Sequence, residues 1–86
     1  MNETFYRKND IGVNIEYYVV GYWKNNEKTY RIYTDFVTDS SNMSGIRLFV
    51  DQVNDKEYIP LSKEDSQIVI EQFQNEITEY INEMRG

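Results

Sequence analysis

Fifteen Asp and Glu side chains, nine Lys and Arg, and no His or Cys set the chemistry open to this 86-residue chain, whose formal net charge is −6. Without imidazole or thiol there is no Cys/His zinc site, no disulfide, and no thiol or imidazole catalysis. Ser40, Ser41 and Ser44 have no histidine to act as base, so nucleophilic catalysis is not expected. Carboxylate pairs run general acid–base chemistry when a pocket tunes them, but no apolar pocket is evident around any pair. Asp35 and Asp39, or Asp51, Asn54, Asp55 and Glu57, offer oxygen ligands to a hard cation. Neither stretch has the spacing of an EF-hand loop, so neither a metal nor a cofactor is expected. The chain reads as a binding protein and not as an enzyme.

The carboxylates are densest at the C-terminal end, where Glu64, Asp65, Glu71, Glu76, Glu79 and Glu83 stand against Lys63 and Arg85. On one helix they fall within an arc of about 140° at 100° per residue. From Glu64 to Glu83 they span about 28 Å at 1.5 Å per residue. A rigid row of that length can imitate a phosphate backbone and fill a basic, nucleic-acid-binding cleft of another protein. The plainer account is a solvated face built from a good helix former. Glu71, Glu79 and Glu83 lack the Lys partners that usually support such a face at i,i+4. Ile68 lies about 60° from Glu71 on the same count, an apolar residue within the acidic arc and a candidate anchor for a partner.

A helix is required to hold those residues. Ser62 is placed to cap its first free amides, with Glu64 and Asp65 in the first turn, where the helix dipole favours negative charge. Val69, Ile70, Phe73, Ile77, Tyr80, Ile81 and Met84 form an apolar stripe about 120° wide. One helix over residues 62–85 is therefore expected.

Upstream, the period is two. Val13 to Trp23 alternates, and Thr29 to Val37 alternates again after the polar break Lys24–Lys28. Ile46 to Val53 forms a third strand after the small, polar stretch Thr38–Gly45. Tyr58–Leu61 forms a short fourth, limited to an edge by Pro60, which cannot donate to a ladder. Residues 1–12 read as a loose lead-in or an edge strand. On this count Val13, Ile15, Tyr17, Ile32, Leu48 and Val50 face the helix. Tyr18, Val20, Tyr22, Tyr33 and Phe49 then face outward, so Tyr18, Tyr22, Tyr33 and Phe49 form a second candidate interface unless Phe5 and Tyr6 fold over them.

The expected fold is thus α+β, a single domain over 1–86, with an antiparallel sheet of three to four strands in 13–61 followed by one C-terminal amphipathic helix. Tyr30-Arg31-Ile32-Tyr33-Thr34-Asp35, then Tyr58-Ile59-Pro60-Leu61, then Glu64-Asp65 ahead of Ile68 to Phe73 resemble a family of short acidic proteins of Gram-positive bacteria, a domain of unknown function. In type, the chain also resembles small acidic inhibitors made by phages. The first resemblance implies two aromatic-rich strands, a polar loop, a third strand, a Leu/Ile-Pro turn and an acidic helix; the family has no assigned activity, so the resemblance bears on the fold and not on function.

No alanine, with abundant Ile, Asn, Tyr, Glu and Lys, suggests an AT-rich genome, a low-GC bacterium or one of its phages. The functional expectation is a non-catalytic, acidic, cytoplasmic protein-binding module. Its specific form is an inhibitor from a mobile element that occupies a basic, nucleic-acid-handling protein, with no direct nucleic-acid or membrane contact. The alternative is a housekeeping homodimer acting as an adaptor through its outer sheet face.

Overall fold

The computed structural model describes residues 3–41 and 43–85. Five strands run in succession, β1 (Thr4–Lys8), β2 (Asn14–Asn25), β3 (Lys28–Thr38), β4 (Ile46–Asn54) and β5 (Glu57–Pro60), followed by α1 (Lys63–Gln72) and α2 (Gln74–Arg85). All neighbours are antiparallel and their order in the sheet is the order in the chain, a curled meander. The architecture is α+β as expected, with five strands instead of three or four and two helices instead of one. Of the expected lead-in, Met1 and Asn2 lie outside the described residues, as does Asn42 of the loop before β4.

The turns are tighter than the polar runs suggest. Asn25 pairs with Lys28 and Asn54 with Glu57, so each hairpin turns on two residues. Asn26 and Asp55 take φ of 58° and 56°, a left-handed conformation that Asn and Asp tolerate better than other side chains. Between β1 and β2, the Asn9 side chain accepts hydrogen bonds from the amides of Ile11 and Val13, and Gly12 turns the chain at φ 82°.

A bulge in β2 corrects the assignment of faces. The register with β3 passes from Val19–Tyr33 to Gly21–Ile32, so one extra residue enters β2. Such an insertion reverses which residues point to which side. Before it, Ile15, Tyr17 and Val19 share the outer side with Tyr33, while Tyr18 pairs with Thr34 on the helix side. After it, Tyr22 points outward beside Arg31, and Trp23 points inward beside Tyr30. Tyr17 and Ile15 therefore belong outside, Val20 belongs to the core, Tyr18 lies on the helix side, and Val13 precedes the strand. Gly21 makes room at the bulge, because a Cβ there would meet the Trp23 ring at 3.0 Å.

The core joins Val20, Trp23, Tyr30, Ile32, Leu48 and Val50 of the sheet to Val69, Ile70, Ile77 and Ile81 of the helices, with Phe73 packed half-buried against it. Ile32 and Ile77 are fully buried. Tyr80, assigned to the apolar stripe, is half-exposed and meets Trp23 edge-on, and the Met84 side chain lies outside the described ones.

The helix expected over residues 62–85 breaks at Phe73. Ser62 caps α1 through Oγ, accepting from the Asp65 amide at 3.1 Å, and Phe73 ends it at φ −112° and ψ 19°. The break involves neither glycine nor proline. A straight helix from Lys63 to Arg85 would run about 34 Å at 1.5 Å per residue, as long as the largest dimension of the molecule, 33 Å. Bent at Phe73, α1 packs on β4 and α2 on β2, and both follow the curl of the sheet.

Candidate interaction surfaces

The six helical carboxylates divide at the bend. On α1, Val69, Ile70 and Ser66 face the sheet, which turns Glu64, Ile68 and Glu71 to solvent, with Asp65 at the flank. On α2, Ile77 and Ile81 face the sheet and Glu79 and Glu83 face away. The carboxylates form two short groups on two axes instead of one straight row. Glu76 belongs to neither, because its Oε2 accepts a hydrogen bond from Trp23 Nε1 at 2.5 Å and ties α2 to the sheet. Among the described residues, none of Glu64, Asp65, Glu71, Glu79 and Glu83 is in an ion pair. Ile68 is 64 % exposed between Glu64 and Glu71.

The outer sheet face holds what residue spacing had not revealed. Asp51 of β4, fully buried, accepts hydrogen bonds from Arg31 Nη2 at 2.6 Å, from Arg7 Nη2 at 3.1 Å and from the Tyr33 hydroxyl at 2.8 Å. Arg7 also donates to the Tyr33 hydroxyl at 2.6 Å. Burial on its own would raise the Asp51 carboxyl pKa; hydrogen bonds from Arg7, Arg31 and Tyr33 outweigh it and hold the group below its ordinary range. Burial, followed by the bond to Asp51, pushes the Tyr33 phenol up. The Arg31 guanidinium carbon lies 3.9 Å from the centre of the Phe5 ring and 3.8 Å from that of Tyr58. Two rings that close leave it between them, a cation held by the first and last strands of the sheet.

Around this centre Phe5 stacks on Tyr17 at 5.5 Å and meets Tyr33 edge-on at 4.9 Å, while Tyr33 stacks on Phe49 at 5.5 Å. Phe5 folds over the aromatic face, whereas Tyr6 points to the other side and bonds Glu16. Of the second candidate interface, Tyr33 is buried, Phe49 and Tyr18 are half-buried, and Tyr22 is exposed with its hydroxyl donating to Glu3 at 2.9 Å. Tyr18 stands apart, against Phe36 at 4.8 Å. Arg7, Arg31 and Asp51 come from three different strands. The alternation of Arg31 with Tyr33 and of Phe49 with Asp51 was visible, but only the register brings the four together.

No protein-family model, no curated protein and no solved structure matches the chain. Among the described residues, no helix is long and apolar enough to cross a membrane.

Proposed function

We propose that the chain is a non-catalytic protein-binding module that seats a basic partner on the outer face of α1 and the neighbouring end of α2. The observation that carries this reading is the exposed Ile68 flanked by Glu64 and Glu71, with neither carboxylate ion-paired among the described residues. Beside it a cavity of ≈ 230 Å³, whose walls include Lys28, Tyr30, Gln52, Leu61, Asp65 and Val69, can take an apolar side chain. On the side of the sheet that Gln52 and Tyr30 share, Ile59 of β5 is a further exposed apolar residue. Unpaired carboxylates speed encounter with a basic surface, and an apolar anchor holds the complex once formed. In its specific form the module is an inhibitor from a phage or other mobile element, occupying the nucleic-acid-binding surface of its target.

The test is capture from a low-GC bacterial lysate with the parent chain and with a variant carrying Gln at 64, 71, 79 and 83. Glu76 is kept because it holds Trp23. A true partner binds the parent, slows its association as salt rises through the range where the Debye length falls below about 8 Å, and is lost by the Gln variant. Ile68→Ala leaves association intact and speeds dissociation. A Gln variant that binds the captured protein as tightly as the parent at low salt overturns the reading.

A further inference from the structure

Glu16 of β2 gathers two phenol hydroxyls. Tyr6 donates to its Oε2 at 3.0 Å and Tyr18 to its Oε1 at 2.8 Å. Tyr6 stands across the ladder from Glu16, and Tyr18 follows two residues along β2, so the three share the helix side of the sheet. The helices leave this corner open. Tyr6 is 65 % exposed, and Phe36, whose ring centre lies 4.8 Å from that of Tyr18, is 38 % exposed. Thr4, Lys8 and Asn14 complete this side of β1 and β2. Among the described residues Glu16 is in no ion pair, with Lys8 or with any other cation.

Phe36 is held in this corner against its backbone preference. Its φ of 62° is left-handed, a conformation that a bulky side chain adopts only as an outlier. The register between β3 and β4 shifts between Thr34 and Thr38, which places Phe36 on a bulge. Thr34 Oγ1 accepts from the Phe36 amide at 3.0 Å and donates to the Arg47 carbonyl at 2.6 Å. Asp35 Oδ1 accepts from the Val37 amide at 3.1 Å. Bulges re-aim side chains, and strain of this kind gathers at ligand sites. Here the strained residue is turned onto Tyr18 at the surface instead of into the core.

The opposite face of the sheet displays what a carboxylate in such company takes. Asp51 accepts from the Tyr33 hydroxyl at 2.8 Å, and Arg7 donates to both, at 3.1 Å to the carboxylate and 2.6 Å to the phenol. The Arg7 guanidinium carbon lies 5.4 Å from the centre of the Tyr33 ring. Arg47 likewise pairs with Asp35 and lies 5.3 Å from the centre of the Phe49 ring. Glu16 has the same carboxylate, phenol and ring, but no arginine of the described residues. We propose that the Glu16 corner binds an arginine side chain of a protein partner. The guanidinium donates to the Glu16 carboxylate and to a phenol oxygen, which keeps a lone pair after giving its own proton to Glu16. Its flat face and stem lie against the rings of Tyr18 and Phe36. Lysine, with neither fork nor flat face, fits less well. The site is separate from the outer face of α1 and stands whether or not a basic partner binds there.

The probe is the peptide Gly-Arg-Gly, capped at both ends and titrated into the chain labelled with ¹³C in its aromatic rings and ¹⁵N in its amides. The same peptide with lysine, and with citrulline, which keeps the shape of arginine without its charge, serves for comparison. The expected result is that the arginine peptide shifts the ring signals of Tyr6, Tyr18 and Phe36 to saturation. The lysine peptide binds more weakly, and the citrulline peptide more weakly still. Glu16→Gln lowers the affinity for the arginine peptide by about tenfold, as loss of a charged hydrogen bond does. It keeps the fold, since Gln still accepts from a phenol. Phe36→Asn, which suits a left-handed φ better, also keeps the fold and weakens binding. Three results overturn the proposal. The arginine peptide moves these rings no more than the citrulline peptide does, or Glu16→Gln binds as tightly as the parent. The third is a set of shifts centred on Ile68 with Tyr6 and Tyr18 unmoved, which favours the α1 face and not this corner.

Discussion

Asp51 concentrates the electrostatics of the molecule into one buried carboxylate shared by two guanidinium groups and a phenol. Removing one partner of a buried pair leaves the others uncompensated and costs about 3–5 kcal/mol. Asp51→Asn is expected to lose that much in urea unfolding. The pH dependence has a definite sign. The folded carboxyl pKa is depressed, so its stabilisation is complete above the unfolded value of about 3.9 and is lost as pH falls through the folded value. The parent should therefore lose stability on acidification in a range where Asp51→Asn is flatter, as urea midpoints between pH 2 and 5 would show. Gly21 is the other residue with a sharp expectation. Alanine there pushes on an indole already confined by Phe73 and Tyr80, and overpacking of this kind costs about 1–3 kcal/mol. A melting temperature unchanged by Gly21→Ala would mean that Trp23 yields freely.

Among the elements, α1 and α2 separate buried from exposed side chains of the same type. Ile77 is fully buried and Ile68 is 64 % exposed. Ile77→Ala should cost about 2–5 kcal/mol, and Ile68→Ala should fall within about 0.5 kcal/mol of the parent. Equal losses in chemical denaturation would show that the phase of the helices is other than described. The break at Phe73 has the same origin as the separation of the carboxylates. Phe73 donates its amide to Val69 and accepts from Ile77 through its carbonyl, so it closes one helix and opens the next with no intervening loop. The apolar positions keep a helical period across the bend, which is why periodicity alone reads as one helix. What the period does not contain is the curl of the surface underneath.

The whole molecule is closed by its two edges. In a flat sheet β1 and β5 would lie about 19 Å apart at 4.8 Å per strand, yet Phe5 and Tyr58 both close on Arg31. The curl and this contact depend on each other. Phe5→Ala and Tyr58→Ala should therefore be non-additive, with a coupling of about 0.5–3 kcal/mol in a double-mutant cycle. Additive losses would mean that each ring packs on its own strand and that Arg31 joins nothing. The same closure uses up much of the aromatic outer face, burying Tyr33 and leaving Tyr22 and Tyr58 as its exposed tyrosines.

The residues alone determined the helical cap at Ser62, the core roles of Ile32, Val50, Ile70, Ile77 and Ile81, and the edge position of the strand carrying Pro60. These follow from local chemistry: a hydroxyl beside free amides, an apolar period, and a missing donor. The helical period also puts Glu64, Ile68 and Glu71 on one face within about two turns, while the packing of Val69 and Ile70 on the sheet decided that this face meets solvent. Only the tertiary structure decided the side taken by Tyr17, Tyr18 and Val20, since one bulged residue in β2 inverts an alternation that looks unbroken in the chain. It also decided that Arg7, Arg31 and Asp51 meet. Pairing across strands is set by register and curl, which depend on the packing of residues tens of positions apart, and no local pattern of residue types encodes that distance.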